Sequence, residues 1–89
     1  MKYTVLWKPA AEQRLATLWN NAENRNSISD AANTIDRLLQ RDAAEIGESR
    51  QENIRILLIP PLGVLFRVEE LDRLVNVLAV WVFHKREQN

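Results

Sequence analysis

The stretch Gly47–Phe83, GESRQENIRILLIPPLGVLFRVEELDRLVNVLAVWVF, decides how this chain folds. It holds three runs rich in Ile, Val, Leu, Phe and Trp, separated by turn-forming residues, and reads as a strand meander. The expected strands are Asn53–Ile59, Val64–Glu69 and Arg73–Phe83, with turns at Pro60-Pro61-Leu62-Gly63 and at Glu70-Leu71-Asp72. Proline cannot donate a ladder hydrogen bond, so Pro60 and Pro61 belong to a connection. Two arginines, Arg55 and Arg67, sit inside apolar strand sequence. A desolvated guanidinium is costly without an anionic partner, so each calls for a carboxylate or a phosphate.

Upstream, Tyr3, Val5 and Trp7 alternate with Lys2, Thr4 and Leu6, the period-2 pattern of a short strand. Pro9 suits a first helical turn, and Ala11, Leu15, Leu18, Trp19 and Ala22 recur at helical spacing, predicting a helix from about Pro9 to Asn21. A second helix is expected from a cap at Ser27, with Asp30 three residues on; Ile28, Ala31, Ala32, Ile35, Leu38 and Leu39 form its apolar stripe, with Gly47 near its end. Trp19 and Leu38 are expected on the faces that cover the sheet. The order is β-α-α-β-β-β: an α+β domain spanning 1–89, with a helical hairpin packed on a mainly antiparallel four-stranded sheet.

This order, the GESR segment, the PPLGVLFRV hairpin and the VLAVW strand resemble the RelE/ParE family of toxins from bacterial type II toxin–antitoxin systems. The resemblance covers nearly all 89 residues. It implies a small protein antitoxin as partner and, as activity, mRNA endonuclease cleavage on the ribosome (an mRNA interferase). ParE-like inhibition of DNA gyrase by binding, or a catalytically degenerate and nontoxic member, are the alternatives. Nuclease members commonly carry an arginine at the position of Gly63 in this chain, and many end in a tyrosine or histidine that stacks on a base; the only tyrosine here is Tyr3.

Cleavage through a neighbouring 2′-hydroxyl needs a base, an acid and positive charge on the phosphorane-like state. The candidate catalytic residues are Arg55, Arg67, His84 and Arg86, with Arg50 and Lys85 as phosphate-binding residues. For Arg55 and Arg67 the competing reading is a salt bridge to Glu52, Glu69 or Glu70; for Arg50 it is a cap on the carbonyls ending the second helix. A register placing Arg55 opposite Arg67 would set two like charges across a strand pair and demand an anion between them. The tail His84-Lys85-Arg86-Glu87 is the only dense basic cluster, and its competing reading is a solvated end.

Composition narrows the field. Lys and Arg number 12, as do Asp and Glu, giving zero net charge and none of the broad basic face that autonomous nucleic-acid binders use. The absence of cysteine removes disulfides and thiolate chemistry, and a single histidine removes a histidine metal cluster; no cofactor is expected. No run approaches 18 apolar residues, so the expected location is cytoplasmic, away from membranes. The aromatic residues Trp7, Trp19, Phe66, Trp81 and Phe83 stand at core-compatible phases, and Asn76 is a polar anomaly within its strand.

Overall fold

A computed structural model describes residues 2–83. The elements are β1 (Thr4–Trp7), α1 (Pro9–Asn21), α2 (Arg25–Asp42), β2 (Glu48–Gln51), β3 (Ile54–Ile59), β4 (Leu62–Glu69) and β5 (Leu74–Val82). Among the described residues the sheet has five strands in the order β1-β5-β4-β3-β2. β1 lies parallel to β5, and every other pair is antiparallel. The α+β class and the antiparallel C-terminal meander are as expected. The fifth strand is β2: its residues Glu-Ser-Arg-Gln are exposed at every position, so no apolar alternation marks it.

Element boundaries moved for local reasons. α1 begins at Pro9 and ends at Asn21, as its spacing predicts. α2 begins two residues before the expected cap, because Asn24 is the cap: its Oδ1 accepts from the Ser27 N–H at 3.2 Å. Gly47 does not terminate this helix, which ends at Asp42. Its φ of +75° and a hypothetical Cβ only 2.2 Å from the Ile56 carbonyl oxygen show why glycine is needed there, where the chain crosses close over β3. Asn53 and Arg73 hold left-handed backbone (φ 68° and 51°), so the strands that follow start one residue later than expected. Leu62 and Gly63 belong to β4, leaving only Pro60 and Pro61 in the turn.

The helices cover one face of the sheet. Ile28, Ala31, Ile35 and Leu39 of α2 and Ala11 of α1 meet Leu57, Leu62, Val64, Phe66, Val68, Val75, Val77 and Val80, all buried. Burial at alternate β4 positions follows the pleat. β5 keeps this phase only by a bulge: Phe66 pairs with Val77 but Leu65 pairs with Ala79, so Leu78 is the extra residue. Trp7 fixes β1 to α2, its Nε1 donating to Asp36 Oδ1 at 2.8 Å. Trp19 does not face the sheet; it is 39% exposed on the outer side of the hairpin, and Leu38 packs only partly against the core.

Candidate functional surface: the open sheet face

Among the described residues, no helix covers the other face of the sheet. Cross-strand partners share a face, so the register assigns Leu6, Ile54, Ile56, Leu58, Leu65, Arg67, Asn76, Ala79 and Trp81 to it. Most are apolar and none is fully covered except Asn76; Leu6 is 48% and Leu58 52% exposed. An uncovered apolar sheet face rimmed by polar residues marks a contact surface.

Arg67 stands on the central strand of this surface, towards the β4–β5 turn, between Ile54 on β3 and Asn76 on β5. It is exposed, and no carboxylate of the described residues lies within salt-bridge distance of it. The nearest candidate by register, Glu69, is already engaged, its Oε2 accepting from Asn76 Nδ2 at 2.8 Å. That bond also resolves the anomaly of Asn76, which is buried with its amide satisfied. Arg67 is thus a cation with no charge partner among the described residues.

Arg55 has a different place and a different job. It pairs with Phe66, not Arg67, and therefore lies on the helix-covered face, so the register is not the one that would set two like charges across β3 and β4. Its Nε donates to the Ile46 carbonyl at 2.7 Å and its Nη2 to the Gly47 carbonyl at 3.3 Å. The guanidinium clips the connection between α2 and β2 to the sheet. Neither a carboxylate nor a phosphate is needed, because charge-assisted bonds to two carbonyls satisfy it. Arg55 and Arg67 cannot share one anion across the sheet.

Arg50 lies on the edge strand β2 and pairs with Glu48 at 2.9 Å; both side chains are more than half exposed, so the pair contributes little. It does not cap α2. His84, Lys85 and Arg86 lie outside the described residues. Among the described residues no group of histidine, aspartate and glutamate is arranged to hold a metal ion, and no helix is long and apolar enough to cross a membrane.

Trp81 is the functional candidate that the sequence concealed. Its register partner is Gly63, and the indole lies flat over it: a Cβ at position 63 would meet Cε2 and Nε1 at 2.5 Å. The space that a side chain at 63 would occupy is filled by an aromatic ring. An intact alternation from Val75 and Val77 would have put Trp81 in the core; the bulge at Leu78 turns it outward.

A second polar cluster ties the far end of the fold. The Tyr3 hydroxyl donates to Glu70, with oxygen distances of 2.9 and 3.1 Å, and Arg73 Nη1 pairs with Glu70 Oε2 at 2.8 Å. The Arg73 guanidinium sits 5.5 Å from the Tyr3 ring centroid. Burial, then the Glu70 carboxylate, push the Tyr3 hydroxyl above its ordinary pKa, against a smaller opposing effect of Arg73. Tyr3 is therefore held neutral as a tie between β1 and the β4–β5 turn.

No protein-family profile and no curated protein sequence matches the chain. Solved structures do. The toxin–antitoxin complex RelBE2 of Mycobacterium tuberculosis contains a chain similar to this one at 19% identity and TM-score 0.75, with 92% of each chain covered. A chain of the chromosomal ParDE system of P. aeruginosa is similar at 15% identity and TM-score 0.70, covering 93% of this chain and 98% of that one. The isolated E. coli RelE toxin is similar at 12% identity and TM-score 0.68, with 96% and 88% covered. The fold is that of the RelE/ParE toxins.

Proposed function

We propose that this chain is the toxin of a two-component toxin–antitoxin pair, and that it acts through the open sheet face by binding a protein target in the ParE manner. The observation that carries this is the chemistry of that face: an apolar platform with one cation, Arg67, that has no partner among the described residues. Such a surface suits an apolar segment bearing a carboxylate better than a polyphosphate backbone, whose binding draws on several cations together. The fold supports the toxin reading, since its neighbours include RelE and ParDE proteins.

Against the mRNA endonuclease reading stand the bonds of Arg55 to the Ile46 and Gly47 carbonyls and the Trp81 ring over Gly63. It keeps one support, the sequence His84-Lys85-Arg86 directly after Phe83, which could supply the acid, the base and the charge that cleavage requires. A small protein antitoxin encoded beside the chain would cover the open face and place an acidic side chain on Arg67.

Induced expression with growth measurement, mapping of transcript ends and a gyrase supercoiling assay tests both readings. Growth arrest with intact transcripts supports action by binding, and inhibited supercoiling identifies gyrase as the target. Cuts in translated mRNA would replace this reading by the nuclease. No growth defect at full expression would leave a nontoxic family member.

A further inference from the structure

The outer side of the helical hairpin carries a feature that the proposed function does not use. Between α1 and α2 lies a groove of about 510 Å³ with Leu15, Ala16 and Trp19 on one wall and Ile28, Ser29 and Ala32 on the other. The alanines leave the groove wide. Trp19 stands at one end of it, exposed, with its Nε1 donating to Ser29 Oγ at 3.1 Å. The Arg25 guanidinium stacks over the indole, 4.6 Å from its centroid, and among the described residues donates only to the carbonyls of Trp19 and Asn20. At the other end of the groove is Glu12, one turn before Leu15 and Ala16 on the same stripe of α1. Among the described residues neither Glu12 nor Arg25 has a charge partner.

The patch therefore has a cation at one end, an anion at the other and an apolar channel between. Such a surface is complementary to itself when a second copy is applied about a two-fold axis, because the axis brings each cationic end onto the partner's anionic end. We propose that the α1–α2 groove is a self-association surface. The exposed edge of each Trp19, held on its own Ser29 and under its own Arg25, packs against the mouth of the other copy's groove, and Arg25 of each meets Glu12 of the other. A stacked Arg and Trp pair is the kind of rigid anchor on which protein interfaces concentrate their affinity. The arrangement leaves the open sheet face of both copies free, so it stands apart from the function proposed above.

The test is sedimentation equilibrium of the full chain alone over a range of concentrations, with the parent, Glu12→Arg, Arg25→Glu, the Glu12→Arg/Arg25→Glu double variant and Trp19→Ala. The parent should move from the mass of one chain towards two as concentration rises. Each single charge reversal sets like charges against each other and should weaken association by about tenfold or more, as should Trp19→Ala. The double variant restores opposite charges and should recover most of the parent's association. Glu12 and Arg25 form no contact within one chain, so a loss of fold stability in the single variants would not be repaired by the second. Circular dichroism melting of each variant monitors that stability. A parent that stays monomeric throughout overturns the proposal, as does a dimer that all four variants leave unchanged or a double variant weaker than both singles.

Discussion

Gly63→Ala is the perturbation whose outcome the structure fixes most closely. The added Cβ would lie 2.5 Å from two atoms of the Trp81 ring and 2.8 Å from a third, so the indole must lift away. A fully covered aromatic side chain buries roughly 150–250 Å², and Trp81 is half-buried; lifting it exposes about 100 Å², which at about 25 cal/mol per Å² costs about 2.5 kcal/mol. Replacing a strand glycine by alanine returns about 0.5–1 kcal/mol of backbone entropy. The net expectation is a loss of about 1.5–2 kcal/mol, or roughly 6–16 °C in melting temperature for a domain of this size. In a Trp81→Ala background the obstacle is gone, and the same Gly63→Ala change should stabilise the fold by about 0.5–1 kcal/mol. Urea denaturation of the four proteins in this cycle measures the coupling directly. If Gly63→Ala stabilised the parent, or cost the same in both backgrounds, the interlock of Trp81 on Gly63 would be refuted, and with it the account of why position 63 carries no side chain.

The two sheet arginines should separate cleanly. Arg55→Gln breaks charge-assisted bonds to Ile46 and Gly47 and should cost about 1–3 kcal/mol, with toxicity falling only as folded protein is lost; Arg67→Gln should leave stability within about 0.5 kcal/mol while abolishing growth arrest, and a fully toxic Arg67→Gln would remove it from the contact surface. Leu39, fully buried beneath the sheet, should lose about 2–5 kcal/mol on truncation to alanine, whereas the half-buried Leu38 should lose less; thermal melts in the reverse order would mean that α2 is rotated about its axis. Because the folded pKa of Tyr3 is raised, the stability it contributes is present below pH 10 and is lost as pH rises through the folded value. Tyr3→Phe should thus start less stable at neutral pH and lose less as pH rises above 10, and parallel pH profiles for the two proteins would contradict this.

How much of this was legible in the residues can be read element by element. Helix α1 was placed to the residue because a proline start and a 3.6-residue apolar recurrence are both local signals. The three C-terminal strands and the fold class followed from β-rich runs punctuated by Pro-Pro and an acidic turn. Strand β2 was invisible, since an exposed edge strand needs no apolar alternation and is held only by its ladder to β3. Its presence had to come from the pairing partner.

The site depended still more on tertiary structure. Composition and pattern mark Arg55 and Arg67 as needing an anion, but Arg55 meets two carbonyls and Arg67 is exposed; which face each occupies depends on register, and register is set by pairing across strands distant in sequence. A shift of one residue moves a side chain from one face to the other, so the same sequence permitted an anion site and excluded it. The bulge at Leu78 acts in the same way on Trp81, turning a ring that alternation assigned to the core onto the open face above Gly63. Sequence thus determined the elements, their order and the apolar supply for one covered face. Only the folded sheet decided which arginine is a clip, which has no charge partner among the described residues, and that a tryptophan stands where a side chain at Gly63 would have been.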